Sequence, residues 1–493
     1  MKQKIKIKAL LFTAIAAITL SSNQSATAQT SHFDELSKLP FPGGYPTKEA
    51  ANQLQDELQF QRACQVYMWA LPAMNMMSMR LASEKTFGDA YNIVPMWKDR
   101  PNANTIITTA NPDVIYAMSY VDLKKDGPIV VDLPPQMQGL FDDMWHRSIS
   151  DIGFAGPDAG KGGKYLLLPP DYKGNVPKGY FTFTSATNRV FIFVRGFFKG
   201  SDLAPTVASM EKLRIYPLAQ KDNPAKMQFP NASAVKLDMD FPRDISYFEN
   251  LAKFINEEPA APEDFYMRGV AASIGIVKGK PFAPDDHMKT ILQKGAEVGY
   301  KMAANVSLSS YGQIPGVRLY PDRQWETLFL SGSTTFDTPT HRSVDEQIAF
   351  FHKAYSMSPA MVVKMPGKGA QYVATFHDSE GEYFSGENSY MLYVPANAPA
   401  KNFWSIVLYD IETRSLLDNG QPFPAFASNN GQMKLNADGS ADFFFGPAAP
   451  TDAKLNWIKT VPGKDFFPGL RFYAPTEGFF DKTWKPGDVV KVK

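Results

Sequence analysis

Val131-Asp-Leu-Pro-Pro135 is followed by Trp145 and Asp151, and Leu392-Tyr-Val-Pro395 is followed by Trp404 and Asp410. In each copy an apolar run ends in proline, and an aspartate stands six positions after the tryptophan. A repeated order of strand-like pieces is typical of one architecture built twice, because each copy has to close its own core. The repeat therefore predicts two β-rich halves in tandem.

An arginine is repeated further along each copy. The apolar run at 190–198 carries Arg195 ahead of aromatic residues, and the run at 470–473 carries Arg471 in the same setting. The order of pieces in the two halves is therefore similar beyond the first matched segment.

The periodicity of the chain changes twice. Strand signals extend over residues 101–200 and return over 369–493, whereas residues 201–368 have mostly helical spacing. We expect an α+β fold, mainly β, in which the helices of the intervening segment cover or bridge the two sheet-built units.

The N-terminal region has the features of an export signal. Lysines at positions 2 to 8 precede an apolar run at 9–20 that is too short to span a bilayer, and Ala26-Thr-Ala28 is a small-x-small cleavage site. We expect residues 1–28 to be a signal peptide, the mature protein to be periplasmic or secreted, and no membrane span to follow.

Composition disfavours nucleic acid as a partner. Lys and Arg number 51 against 50 Asp and Glu, so the net charge is +1, and phosphate binding needs concentrated positive charge. The single cysteine, Cys64, lies in an apolar helical context and is predicted to be a small buried hydrophobe. A homodimer remains an alternative to a monomer.

The segment 29–100 is predicted to be helical. Apolar residues recur at helical spacing from Thr47 to about Ser83, and Pro72 is expected to kink or split this run. Four methionines are predicted to fill the core rather than to bind a ligand: Met74, Met76, Met77 and Met79.

Three more helices are predicted in the intervening segment. Two have clear apolar faces, at Arg243–Glu257 and Asp285–Ala304. The third begins after Ser343, which with Glu346 has the spacing of a capping box.

The richest polar segment runs from Gly139 to Asp158. If Met144 to Asp151 is a strand, Trp145, Arg147 and Asp151 lie on one face, where Arg147 and Asp151 would bind a carboxylate or sugar hydroxyls beside an aromatic ring. The alternative is a buried Arg-Asp pair that satisfies only itself.

The turn Asn111-Pro-Asp-Val-Ile-Tyr116 offers a carboxylate and a phenol. Asp113 on a rigid turn is a candidate general base or ligand anchor, and Tyr116 a candidate binding residue. The alternative is an Asx turn in which Asp113 bonds its own backbone.

Signatures of common cofactor and nucleophile sites are missing. The six histidines have no metal-ligand spacing and no G-x-S-x-G elbow occurs, so we expect no cofactor, with a divalent cation as the alternative because aspartates cluster at 142–158. The run Gly156–Lys164 has the wrong spacing for a phosphate loop and is read as a hairpin connection.

Two sets of segments carry a family resemblance. Arg100-Pro-Asn-Ala-Asn-Thr105, Asn111–Tyr116 and Gly156–Pro170 resemble the bacterial domain-of-unknown-function 1254 family. Phe403-Trp-Ser-Ile-Val-Leu-Tyr-Asp410 and Leu470-Arg-Phe-Tyr473 resemble its companion, domain of unknown function 1214. The resemblance implies tandem jelly-roll β-sandwiches with a helical layer, similar to peptide N-glycosidases in fold.

The resemblance extends to polar positions without assigning them a catalytic role. Where the family has Asn-Val-Asp this chain has Asn-Pro-Asp at 111–113, which leaves a role for Asp113 less secure. The candidate binding residues taken from the matching positions and the aromatic pattern are Tyr116, Trp145, Arg195, Trp404, Asp410 and Arg414.

Three functions follow as hypotheses. The first is a hydrolase of a glycan, glycoconjugate or amide-bearing small molecule, with its site in a cleft between the two jelly rolls. Asp113 or Asp151 would be the acid or base, Arg147 or Arg195 would polarise the substrate, and Trp145 or Trp404 would stack on it. The second is a non-catalytic binding or assembly protein of the envelope, and the third a metal-dependent oxidoreductase.

Overall fold

The computed structural model of the chain describes residues 31–308 and 314–492. The predicted signal peptide at residues 1–28 lies outside the described residues. The chain divides into two compact units, Met1–Arg62 and Ala63–Lys493, and both β-rich halves belong to the second unit.

Eight strands build the first half as two four-stranded sheets. After a short strand β1 (Thr105–Ile106), they are β2 (Ile115–Asp122), β3 (Ile129–Leu133), β4 (Met137–Asp143), β5 (Ser148–Gly153), β6 (Gly163–Leu168), β7 (Phe181–Thr184), β8 (Arg189–Gly196) and β9 (Arg214–Pro217). One sheet has the order β2-β8-β4-β5 and the other β7-β6-β3-β9. Apolar side chains of both sheets, such as Ile192 and Leu167, share one core, so the half is a β-sandwich.

The second half is also a β-sandwich. After β10 (Leu237–Asp238), which pairs with β1, and β11 (Glu326–Thr327), its strands are β12 (Ala370–Ala374), β13 (Ser389–Val394), β14 (Ala400–Asp410), β15 (Ala425–Ala427), β16 (Ala441–Gly446), β17 (Asn456–Lys459), β18 (Phe466–Pro475) and β19 (Val490–Val492). The sheet orders are β11-β12-β18-β14-β15 and β17-β16-β13-β19, and their facing side chains form a separate core.

The two sandwiches repeat each other strand for strand. Each strand β2 to β9 has the same sheet neighbours as the strand ten numbers later, apart from the extra edge strand β11. The match includes the parallel pair β6 and β7, which corresponds to β16 and β17. The prediction of one architecture built twice is confirmed, whereas the jelly-roll detail is not, because a jelly roll is antiparallel throughout.

The structure changes the alignment of the repeat. Trp404 lies inside β14, but Trp145 lies in the turn after β4, so the two tryptophans are not equivalent. The equivalent aspartates are Asp143 and Asp410, each at the end of a matching strand and each accepting two backbone N–H bonds. Both aspartates begin the sequence Asp-x-x-x-Arg-Ser, at 143–148 and at 410–415.

The predicted strand at Met144–Asp151 is wrong in its first half. The Asp143 carboxylate accepts the backbone N–H groups of Trp145 and Arg147, at 2.7 and 2.9 Å, and His146 has a φ of 56°. These features make a tight turn, and β5 starts only at Ser148. Trp145 and Arg147 therefore leave the sheet.

The described helices connect and cover the sheets. They are α1 (Lys48–Trp69), α2 (Leu71–Phe87), α3 (Leu123–Asp126), α4 (Ala204–Met210), α5 (Ser246–Glu257), α6 (Phe265–Ser273), α7 (Asp286–Leu308), α8 (Val344–Lys353), α9 (Pro359–Val362) and α10 (Glu477–Phe480), and residues 31–37 are helical as well. In the described residues, no helix is sufficiently long and apolar to cross a bilayer.

A third apolar core joins the helices to both sandwiches. Helices α2, α5, α7 and α8 pack in it against the outer faces of the β2–β8 sheet and the β12–β18–β14 sheet. The four methionines of α2 are buried here, as predicted, and the break between α1 and α2 precedes Pro72. We call this shared region the seam core.

Two local predictions are corrected. The Glu346 carboxylate does not form a capping box with Ser343 but accepts hydrogen bonds from the amide and hydroxyl of Ser331. The run Gly156–Lys164 is not a hairpin connection, because it joins β5 and β6, which belong to different sheets. The buried Asp158 carboxylate holds this run by accepting hydrogen bonds from the amides of Gly153 and Gly162.

Close packing of α7 on α1 gives a test of the seam core. A Cβ atom at Gly295 would lie 2.4 Å from the Ala63 Cβ, whereas one at Gly269, in the middle of α6, would meet nothing within 4 Å. We expect Gly295→Ala to lower the free energy of unfolding by about 1–3 kcal/mol through overpacking. Gly269→Ala, the control, should raise it by up to about 1 kcal/mol because alanine favours the helix. Equal effects in denaturant unfolding would contradict this packing.

Candidate functional site at the seam

A cavity of about 50 Å³ lies in the seam core. It lies between the outer face of the β2–β8–β4–β5 sheet and the outer face of the β11–β12–β18–β14–β15 sheet. At roughly 10–15 Å³ per water position, this volume has room for a few waters or a small ligand. Its polar lining residues are Thr109, Tyr116, Arg195, Lys353, Tyr355, Ser356, Tyr372, Tyr409 and Arg471. Phenylalanines at positions 193, 329, 350 and 467 supply much of the apolar wall. We call this the seam cavity.

The two repeated arginines meet in this cavity from opposite sandwiches. Arg195 lies on β8 directly opposite Tyr116 of β2, and Arg471 lies on β18 directly opposite Tyr372 of β12. Because β8 and β18 are equivalent strands, the duplication places an arginine beside a tyrosine on each side of one cavity.

Arg471 is held by its neighbours. Its Nε donates to the Tyr473 hydroxyl at 3.1 Å, and its Nη1 donates to the Tyr409 hydroxyl at 2.8 Å and to the Thr109 carbonyl at 3.1 Å. The guanidinium also lies 4.6 Å from the centre of the Tyr372 ring. All these partners are neutral, so the position is fixed while the positive charge is not compensated.

Arg195 is less completely satisfied. It is only 5% exposed, and its Nε is buried without a hydrogen-bond partner. Within the ranges that the structure describes, no carboxylate lies at ion-pairing distance from it; the charge of Asp151 acts on it from further away. A buried guanidinium in this state is costly unless an anion joins it.

Lys353 is a third cation of the cavity. Its Nζ donates to the Ser307 carbonyl at 2.9 Å and lies 4.9 Å from the Phe376 ring centre. Burial lowers the pKa of Lys353 to about 8, with the charge of Glu326 acting in the opposite direction. The lysine is therefore still largely protonated at neutral pH.

Asp113 lies beside the seam rather than in the cavity lining. Its Oδ1 is 3.5 Å from Arg100, its Oδ2 is buried without a partner, and burial raises its pKa against the effects of Ser405, Arg100 and Arg471. The Asx turn here is made by Asn111, whose Oδ1 accepts the Asp113 N–H at 2.9 Å. Of the two alternatives for this turn, the Asx turn is present, but Asn111 rather than Asp113 makes it.

Asp151 and two neighbours hold the segment that leads from α8 to the second sandwich. Asp151 Oδ2 accepts the amide of Ala360, Asp142 Oδ2 that of Met357, and His146 Nδ1 that of Ser356, at 2.9, 2.9 and 3.1 Å. Burial lowers the pKa of His146 to about 3, so the neutral ring donates from Nε2 to Asn75. Tyr355 and Ser356 are thereby fixed as cavity wall.

Arg147 and Trp145 belong to a different cavity. One Arg147 nitrogen contacts both oxygens of Asp264 at 3.0 Å, and another lies 3.2 Å from Glu263. This cavity of about 320 Å³ also contains Trp69. The structure therefore does not bring Arg147 together with Asp113 or Asp151.

The remaining predicted residues stabilise the second sandwich and its helices. Trp404 packs in the sandwich core against Phe443. Asp410 accepts the amides of Glu412 and Thr413 in a turn. Arg414 is fully buried, bonds Asp240 at 2.7 Å, and donates to the His352 carbonyl.

Sequence reasoning found part of this site. It singled out Tyr116 and Arg195, and it noted Arg471 as the repeated counterpart of Arg195. The sequence did not single out Lys353 at the end of α8, Tyr355 in the segment after it, or Tyr372 on β12 and Tyr409 on β14. Among the described residues, no group of three or more His, Cys, Asp or Glu side chains is placed to hold a metal ion.

Both halves match known families. Residues 91–217 match the family described as "Protein of unknown function (DUF1254)", and residues 369–477 match "Protein of unknown function (DUF1214)". The chain belongs to the two-domain DUF1254/DUF1214 family. The DUF1254 match contains the whole first sandwich with Arg195, and the DUF1214 match contains β12 to β18 with Arg471.

The DUF1254/DUF1214 chain was matched with solved structures, two of which follow. The VPA0106 protein of Vibrio parahaemolyticus is 16% identical, with a TM-score of 0.54 over 89% of this chain and 100% of its own. An uncharacterised protein of Burkholderia cenocepacia is 12% identical, with a TM-score of 0.41 over 88% and 94%. Curated proteins contain no match. At 16% identity, the first likeness concerns the fold alone.

The turn at Asp143 predicts a pH dependence of stability. Burial raises the pKa of Asp143 from 3.8 to about 6, against the attraction of Arg147. The folded state thus holds this proton more tightly than the unfolded state, and the contribution to stability falls as pH rises from about 4 to 6. Asp143→Asn keeps an acceptor oxygen for the two amides and removes this titration. The decrease in the free energy of unfolding across this pH range, about 3 kcal/mol in wild type, should therefore be absent in the variant.

Urea unfolding of wild type and Asp143→Asn between pH 4 and 8 measures the effect. The largely exposed Asp89→Asn serves as control and should follow the wild-type profile. Parallel profiles for wild type and Asp143→Asn would show that the buried carboxylate does not titrate as described.

Proposed function

We propose that this DUF1254/DUF1214 protein is a binding protein for a small carboxylate or similar oxyanion, with the seam cavity as its site. The observation that carries the proposal is the pair of buried arginines, Arg195 and Arg471, that line one cavity and lack a carboxylate at ion-pairing distance in the described part of the chain. Buried charges in proteins are normally paired, and guanidinium groups bind carboxylates with two parallel hydrogen bonds.

The rest of the lining agrees with such a ligand. The hydroxyls of Tyr116 and Tyr372 offer further donors, and Lys353 adds charge, whereas the Tyr409 hydroxyl already donates to the Ala110 carbonyl at 3.0 Å. The phenylalanine wall suits a short apolar tail, and the volume of about 50 Å³ limits the ligand to a few heavy atoms. Among the three functions considered from the sequence, this corresponds to the non-catalytic binding protein.

The two arginines predict opposite effects on stability. Without ligand, Arg195→Met removes a buried charge that has an unpartnered Nε, at the cost of one hydrogen bond to Tyr372, so the free energy of unfolding should rise by about 1–3 kcal/mol. Arg471→Met leaves the Tyr409 hydroxyl and the Thr109 carbonyl without the donor that they share and should lower it by about 1–3 kcal/mol. In wild type, acetate, propionate or phosphate at 100 times Kd should add about 2.7 kcal/mol.

Thermal and urea unfolding at constant ionic strength, with chloride replaced by each anion, checks these effects. Both variants should lose the anion response, while Arg214→Met, which removes an exposed arginine from β9, should keep it. The proposal fails if wild type shows no anion response, or if Arg195→Met responds as wild type does.

A hydrolase is the second candidate, and the observation in its favour concerns Asp151. Burial raises the pKa of Asp151, mainly against its bonds to Ser358 and Ala360, and the charge of Arg195 acts on it. A carboxyl group with a raised pKa near an arginine suits general acid catalysis beside a polarised substrate. Arg147 lines the other cavity, and Asp113, on whose raised pKa the charge of Arg471 acts, lies 3.5 Å from Arg100.

A screen of chromogenic esters, amides and glycosides tests this second candidate. If a substrate is turned over, Asp151→Asn should lower kcat/KM by about 100-fold or more, the usual contribution of a general acid. Asp89→Asn is the control for loss of a carboxylate. Absence of turnover, or equal rates in Asp151→Asn and wild type, would exclude the proposed role of Asp151.

A further inference from the structure

A second cavity lies on the other side of the turn at 143–147. Its volume is about 320 Å³, at the lower end of the range of roughly 300–1,000 Å³ that small-molecule sites occupy. Trp69 and Trp145 line it, with ring centres 5.0 Å apart and planes inclined by 49°. We call it the tryptophan cavity.

The charges of the tryptophan cavity are already paired. Arg147 binds Asp264 and Glu263, and Arg342 Nε lies 2.8 Å from Asp337 Oδ1. No arginine of this lining is left for an anion, in contrast to Arg195 and Arg471 of the seam cavity. The carboxylates are equally engaged, so a cationic ligand would have to displace an arginine from each.

The polar groups of this lining that are available to a ligand are hydrogen-bond donors and acceptors around aromatic rings. Carboxylates and guanidinium groups that hold each other still have free lone pairs and N–H groups, and Thr334, Thr335 and Gln347 add hydroxyl and amide groups. The indole rings provide flat apolar surface. This combination complements a ring that has hydroxyls on its edge and C–H groups on its face.

The start of α6 supplies part of the wall. Glu263 and Asp264 precede the helix and Met267 lies in its first turn, and all three line the cavity.

We propose that the tryptophan cavity binds an uncharged saccharide, with one sugar ring inside the cavity. The site is separate from the seam cavity and does not depend on anion binding there. Arg147 and Asp264 are the preformed polar clamp, and Trp69 is the aromatic surface that faces the ring.

Isothermal titration of the full-length protein tests the proposal with cellotetraose, chitotetraose and maltotetraose as probes. At least one should bind saturably, and Trp69→Leu and Arg342→Met should each weaken it at least tenfold. Tyr393→Leu, which removes an exposed aromatic of β13 outside this cavity, is the matched control and should bind like wild type. Tetragalacturonate and spermidine are the anionic and cationic comparisons.

Hydroxyl-radical footprinting of the wild-type protein gives a readout that does not depend on the folding of a variant. The bound saccharide should protect Trp69 and Met267, both of which line the cavity, from oxidation. The proposal is overturned if no neutral probe binds, if binding leaves Trp69 unprotected, or if spermidine binds more tightly than every neutral oligosaccharide.

Discussion

In each sandwich, one sheet is buried on both faces, and the fold depends on covering the face that points away from the sandwich core. The residues of β8 and β18 are buried almost without interruption, and those of β2 and β12 likewise, so both faces of these strands avoid water. A sandwich covers only one face of each sheet. The outer faces therefore need a common cover, and the helices and the opposite sandwich supply it in the seam core. The two halves and the helical layer thus form one folded body within Ala63–Lys493.

Two charged side chains in this apolar region are the arginines of the proposed binding site. Arg195 and Arg471 occupy equivalent central strands, so a single architectural duplication brings both to the same cavity. Their energetic states differ, since Arg471 is fixed by phenol and carbonyl oxygens and Arg195 keeps an unpartnered nitrogen. Buried polar groups without full compensation reduce stability and are common at functional sites. In the tryptophan cavity, by contrast, each arginine of the lining forms an ion pair with a carboxylate of the protein.

Much of the fold followed from the sequence, and less of the site did. The tandem halves and the helices near Arg243–Glu257 and Asp285–Ala304 were predicted because apolar periodicity is a local property. The strand through Met144–Asp151 was not predicted correctly, because the Asp143 carboxylate caps backbone amides and outweighs strand alternation. Tyr116 and Arg195 were found through motif and repeat, whereas Lys353 and Tyr372 reach the cavity only through tertiary packing. The capping box at Ser343 failed for the same reason, since a tertiary contact with Ser331 recruits Glu346.

The segment 356–360 ties the two family domains together at the level of single atoms. Its backbone amides end on side chains of the DUF1254 part, namely His146, Asp142 and Asp151. A C-terminal fragment that begins at Ser356 would leave these amides to water, and it would expose the face of β12 and β18 that the first half covers. The two family domains are therefore expected to fold as one unit rather than independently.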